Sequence, residues 1–85
     1  MWFVYIVRCA DDSLYTGIAK DVERRIAEHN SSDALAASYT RARRPVALAY
    51  REAADTRSAA LKREYEIKQL TRREKDELLR TAVPG

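Results

Sequence analysis

The sequence predicts an α+β fold: a three-stranded antiparallel sheet flanked by helices, in the order β-β-α-(α)-β-α-α. Three observations predict it. The chain opens on a β-branched and aromatic run that reaches a cluster of short polar residues and then a second short strand-like stretch. A further alternating run follows Pro45. The remaining segments are charged, carry apolar residues at helical spacing, and begin with capping side chains.

Taken in order, Trp2 to Arg8 reads as a largely buried strand. Asp11-Asp12-Ser13 is turn chemistry, because short polar side chains bond their own backbone. Leu14 to Ile18 is then the return strand of a hairpin, and Gly17 near its end signals a bend or a closely approached backbone. Asp21 to Asn30 is helical: Asp21 suits the first turn, and Val22 and Ile26 form an apolar stripe beside one made of Arg25 and His29. Residues 34–41 suit a short second helix. Pro45 fits the start of a strand in which Val46, Leu48 and Tyr50 alternate with Ala47, Ala49 and Arg51. Asp55 or Thr56 caps a helix running to about Leu70. Thr71-x-x-Glu74 is a capping box that starts a last helix ending near Arg80, with Val83-Pro84-Gly85 as a frayed end.

Eighty-five residues fit one domain spanning 1–85, with a modest core. Hydrophobic residues are 46% and charged residues 34%, the balance of a folded protein rather than a disordered one. No apolar run approaches the length of a membrane span, and the apolar start lacks the basic lead of a signal peptide. The single Cys9 cannot close an internal disulfide and reads as a small buried hydrophobe, which fits a cytoplasmic location. A net charge of +3 hints at a polyanionic partner.

Tyr5 and Tyr15 lie ten residues apart in the hairpin, and Arg25 and His29 follow on one helix face. Phosphodiester cleavage needs a deprotonated water, a stabilised pentavalent phosphate and a neutralised leaving oxygen. Arginine clamps phosphate oxygens with a planar fork, a tyrosine acts as a base where positive charge lowers its pKa, and a carboxylate-held divalent ion supplies Lewis acidity. Blander readings exist for each group. Arg25 suits a solvated helix position paired with Glu23, Glu28 or Asp21, and His29 suits a helix C-terminus as a dipole partner. Glu64, amid Lys62, Arg63, Glu66 and Lys68, has the pattern of a salt-bridged surface helix.

Phe3-Val4-Tyr5, Tyr15-Thr16-Gly17, Arg25-x-x-x-His29 and the later Glu64 together resemble the GIY-YIG nuclease superfamily, and in particular its small single-domain YhbQ-like bacterial branch. Lys20-Asp21, His29-Asn30, Tyr39-Thr40-Arg41 and Arg44-Pro45 extend the resemblance from residue 3 to about 80. The first triplet has Phe3-Val4 for Gly-Ile, and the second has Thr16 for isoleucine. Gln69 is the best counterpart of the asparagine that several members carry after the metal-binding glutamate. The resemblance implies a metal-dependent DNA endonuclease in which Glu64, rather than Glu66, holds one Mg²⁺ or Mn²⁺. Arg25 stabilises the scissile phosphate, one tyrosine is the general base (Tyr5 favoured), the other binds phosphate or orients water, and His29 relays a proton.

Around that site, Arg41, Arg43 and Arg44 are candidate phosphate contacts, Tyr39 a candidate base-stacking ring, and Gly17 a point of close backbone approach. Arg72, Arg73 and Lys75 are further basic residues at the start of the last helix. A small domain makes few phosphate contacts, which favours single-stranded or branched DNA over intact duplex. DNA repair is one task that suits such an activity. Two rival readings are a non-catalytic nucleic-acid-binding module and an interaction subunit of a DNA-processing complex.

Overall fold

The structure, a computed structural model, describes residues 1–81; the expected frayed end at Val83-Pro84-Gly85 lies outside the described residues. Seven elements follow the expected order: β1 (Trp2–Arg8), β2 (Leu14–Ala19), α1 (Val22–Ser31), α2 (Ser38–Arg41), β3 (Ala47–Ala54), α3 (Arg57–Lys68) and α4 (Arg72–Thr81). The sheet is antiparallel with strand order β2-β1-β3, so β1 is central and β2 and β3 are edges.

Local chemistry sets the boundaries. The hairpin closes through Cys9 N–H to Ser13 O at 2.8 Å and Asp12 N–H to Cys9 O at 2.9 Å. Asp12 sits at φ 69°, a left-handed conformation that aspartate tolerates better than most residues. Asp21 is the N-cap of α1, accepting from Arg24 N–H at 3.0 Å, and Thr56 caps α3 by accepting from Ala59 N–H at 3.0 Å. The capping box of α4 is reciprocal: Thr71 N–H donates to Glu74 at 2.8 Å, and Glu74 N–H donates to Thr71 Oγ1 at 3.2 Å.

Alternation along β1 supplies both faces of the sheet. Tyr5, Val7 and Cys9 pack with Ala19, Val22 and Val46 on one face, joined by Phe3, Tyr15 and Ile26, beneath α1. Val4 and Ile6 pack with Ala60 and Ile67 on the other, joined by Trp2, Leu14, Ile18, Tyr50, Leu78 and Leu79, beneath α3 and α4.

The third strand departs from its sequence pattern. Pro45 precedes it by two residues, and Val46, Leu48 and Tyr50 do not share a face. Ile6 pairs with Tyr50 but Val7 pairs with Leu48, so Ala49 is an extra residue in a bulge. The bulge switches faces: Val46 joins the α1 side, Tyr50 joins the α3 side, and Leu48 is left exposed. No described helix is long and apolar enough to cross a membrane.

Candidate active site

Register and helical spacing bring four of the expected residues together. Tyr5 lies opposite Gly17 in the β1–β2 ladder, and Tyr15 is two residues before Gly17, so both phenols project from the α1 side of the sheet. Arg25 and His29, one turn apart on α1, face them. Tyr5 Oη lies 2.8 Å from His29 Nε2, and Tyr15 meets the imidazole edge-on at a centroid distance of 5.5 Å. Gly17 is required by this packing. A Cβ there would lie 2.6 Å from Tyr5 Oη and 2.7 Å from Cζ, inside contact distance.

Burial governs the chemistry of the pair. Tyr5 is 1% exposed and His29 is fully buried. Burial pushes the Tyr5 phenol up to about 12, with the Arg25 guanidinium pulling against it. Burial, helped by the Arg25 charge, lowers His29 to about 4, so its imidazole is neutral at pH 7. His29 is therefore not a charged partner of the helix dipole. Its second nitrogen, Nδ1, lies 2.7 Å from Thr40 Oγ1, and Thr40 is also fully buried.

Arg25 is held in place before any ligand arrives. Its Nη1 donates to Glu28 Oε1 at 3.0 Å and to the Leu35 carbonyl at 2.7 Å. Of the carboxylates that the sequence offers Arg25, only Glu28 takes it; Asp21 caps the helix and Glu23 pairs with Arg51.

Glu64 comes from the other layer. It shares the sheet-facing stripe of α3 with Ala60 and Ile67, its side chain is 18% exposed, and Lys68 Nζ lies 3.4 Å from it. Arg63, one residue earlier, reaches Glu52 on β3 with its Nε 3.0 Å from both carboxylate oxygens. A helical step of about 100° sets Glu64 on the other flank of the stripe from Arg63. Glu64 makes no hydrogen bond to Tyr5, Tyr15, Arg25 or His29, but its charge contributes to raising the Tyr5 pKa.

Among the described residues no three His, Cys, Asp or Glu side chains cluster as a metal cage. A single largely shielded carboxylate fits a hard divalent ion that keeps most of its waters, as Mg²⁺ does. Gln69 is the C-cap of α3, its N–H bonded to Tyr65 and Glu66 carbonyls at 3.2 Å.

The basic segment is more internally engaged than its sequence suggests. Arg44 donates to the His29 carbonyl at 2.6 Å, the Ser32 carbonyl at 3.0 Å and Asp33 Oδ1 at 2.8 Å. Arg43 pairs with Asp11 at 3.1 Å and lies 3.9 Å over the Tyr39 ring, while Arg41 donates to the Asp33 carbonyl at 2.8 Å and stays exposed. Tyr39 also stacks on Tyr15 at 5.8 Å, so a nucleobase would compete with two existing partners for its ring. A cleft between Arg8, Asp12, Arg72, Asp76 and Arg80 lies elsewhere, with Arg8 and Arg72 tied to these aspartates, and none of the residues above lines it.

Sequence reasoning missed Thr40 as a site residue. Its only signal was membership of the Tyr39-Thr40-Arg41 segment, since a threonine in a short helix between exposed residues has no pattern that announces burial.

This site on this sheet defines the class of the protein as a small GIY-YIG-type catalytic fold. Residues 1–77 match the family model of the GIY-YIG catalytic domain, and the chain belongs to that family. Its relatives are UPF0213 proteins, the small YhbQ-like bacterial branch. One, from Desulfotalea psychrophila, is 58% identical over 84 residues, covering 99% of this chain and 76% of the relative. Another, from Staphylococcus saprophyticus, is 56% identical over 77 residues, covering 91% and 92%. The solution structure of a UPF0213 protein from Bacillus halodurans aligns with TM-score 0.62 at 41% identity, covering 99% of this chain and 89% of that one.

Proposed function

We propose that the protein is a divalent-metal-dependent DNA endonuclease acting as a single domain over residues 1–85 in the cytoplasm, on single-stranded or branched DNA. The observation that carries this reading is the buried Tyr5–His29 hydrogen bond with the Arg25 guanidinium beside it. A neutral imidazole bonded to a phenol offers a nitrogen lone pair to which the phenol proton can move. The scissile phosphate lies across the β2 edge, between Arg25 and Tyr15 on one layer and Glu64 on the other. Arg25 carries the charge that builds on the phosphate oxygens. Tyr5 takes the proton of the attacking water as its own passes to His29, and Tyr15 positions phosphate or water. Glu64 would hold one Mg²⁺ or Mn²⁺, whose Lewis acidity assists the leaving oxygen.

Arg41 and Arg43 are the phosphate contacts along the strand, while the close approach at Gly17 is made by the Tyr5 ring rather than by DNA. Tyr65, next to Glu64 and 66% exposed, offers an open ring to an unpaired base, which supports the single-strand preference. A role in DNA repair is consistent with this substrate class.

The test is incubation with end-labelled single-stranded, duplex and branched DNA, in Mn²⁺, Mg²⁺ or EDTA, beside Glu64→Ala, Arg25→Ala and Tyr65→Ala. Metal-dependent cleavage is expected, reduced by roughly 10²-fold or more in the first two variants. The Tyr65 variant is expected to weaken cleavage of single strands selectively. The raised Tyr5 pKa favours a second reading, a non-catalytic DNA-binding module. Salt-sensitive binding without cleavage, unchanged in Glu64→Ala, would establish that reading instead.

A further inference from the structure

Thr40 Oγ1 has two neighbours: His29 Nδ1 at 2.7 Å and the Ala37 carbonyl at 3.1 Å. A carbonyl oxygen only accepts, so the Thr40–Ala37 contact is a hydrogen bond only with the Thr40 hydroxyl hydrogen pointing to Ala37. That is the one arrangement that also leaves the buried Tyr5 hydroxyl an acceptor at His29. Thr40 Oγ1 can then only accept from His29, which places the imidazole proton on Nδ1. With His29 neutral, Nε2 carries a lone pair, and the Tyr5 hydroxyl, 2.8 Å away, donates to it. All three groups are buried, and no buried side-chain polar atom among the described residues lacks a partner, so this proton arrangement satisfies every contact at once.

We infer that Thr40 is a positioning residue: by accepting from His29 Nδ1 it fixes the imidazole tautomer that turns Tyr5 into a proton acceptor toward the substrate. The inference rests on the nuclease reading for its catalytic meaning, but the tautomer stands on the hydrogen-bond geometry alone. With its own hydrogen on the His29 side, the Tyr5 oxygen keeps a lone pair to accept with, on a phenol that is 1% exposed before substrate binds. A water admitted to that oxygen with the substrate transfers a proton to Tyr5 Oη, the Tyr5 hydrogen moves to His29 Nε2, and the hydroxide bonds to phosphorus as the P–O bond to the leaving deoxyribose oxygen breaks. The imidazole becomes imidazolium, still bonded to Thr40, the leaving alkoxide takes a proton from solvent water, and His29 then returns its own proton to solvent through Tyr5. In the other tautomer, Nε2–H would donate to Tyr5, whose hydrogen would then point outward and present a donor where a base is needed.

The experiment is ¹⁵N NMR of the imidazole in the full chain, which is simplified because His29 is the only histidine. Wild type at pH 7 is expected to show an unprotonated Nε2 and a protonated Nδ1. Thr40→Val removes the acceptor and is expected to shift the ring to the Nε2-protonated form and lower single-strand cleavage roughly 10²-fold. Thr40→Ser keeps a hydroxyl and is expected to restore both the nitrogen signature and the rate to within a few-fold. A wild-type spectrum with protonated Nε2 overturns the inference whether or not the Val variant folds. So does a folded Thr40→Val protein with the wild-type tautomer. If wild type shows the expected tautomer but cuts no DNA, the nuclease reading fails and the tautomer assignment stands.

Discussion

At Gly17 a single hydrogen atom in place of a side chain decides whether the site can form. The Tyr5 ring lies over this residue, with Oη and Cζ within 2.7 Å of where a Cβ would be, and the hydroxyl is pinned to His29 on the far side. The ring is buried in the α1-side core, so it cannot swing away without disturbing Val7, Val22 and Ile26. Gly17→Ala is therefore expected to cost about 1–3 kcal/mol, as overpacking in a closed core does. Urea unfolding should show a lower midpoint with an unchanged slope. Cleavage should fall by more than the loss of folded protein explains, because the Tyr5–His29 bond must lengthen. An alanine variant with wild-type stability and activity would mean that the phenol is not held where the structure puts it.

The elements show why part of the fold was legible in the sequence and part was not. Caps involve residues three positions apart, so Asp21 and the Thr71–Glu74 box could be read directly, and of the two α3 caps that the sequence offers, Asp55 or Thr56, the structure uses Thr56. The β3 bulge could not be read, because Val46, Leu48 and Tyr50 alternate cleanly and only their pairing with β1 reveals the extra residue at Ala49. The same distinction applies to the site. Arg25 and His29 were legible as an i, i+4 pair, whereas Thr40 and the engagement of Tyr39 depend on how α2 folds back onto α1. Arg44 is the clearest case. A basic run reads as a phosphate contact, yet its guanidinium ties the end of α1 to the loop that leads to α2. Arg44→Ala is expected to lower stability by about 2 kcal/mol through its lost charge-assisted bonds. DNA affinity at fixed folded fraction should change little. Arg41→Ala should do the reverse, leaving the unfolding midpoint near wild type and reducing the salt slope of binding by about one. Salt-slope and denaturation measurements on the two variants separate clamp from contact, and the opposite pattern would reassign them.

Across the whole molecule, one histidine sets the pH range over which the fold is strongest. In the unfolded chain His29 titrates near 6.5, while in the folded protein burial holds it at about 4. Between these values the unfolded state binds a proton that the folded state does not, so stability falls as pH drops below about 6.5 and the His29 contribution is exhausted below about 4. The loss over that window is about 3 kcal/mol, a large share of the margin of an 85-residue protein. Because the sequence holds no other histidine, the limb between pH 6.5 and the carboxylate range belongs to His29. Asp11, Asp12 and Asp33 act below it: hydrogen bonds from Ser13, Arg8 and Arg44 respectively lower their pKa values, so they favour the fold until they too protonate. At the alkaline end Tyr5 ionises near 10 when unfolded and about 12 when folded, so stability declines again above pH 10. Urea midpoints measured from pH 4.5 to 11 should trace this plateau with two shoulders. His29→Gln is expected to start lower at pH 7 but lose the slope between 6.5 and 4.5. A wild-type midpoint flat across that acid window would show that the imidazole is not buried neutral, and with it the proton path from Tyr5 would lose its acceptor.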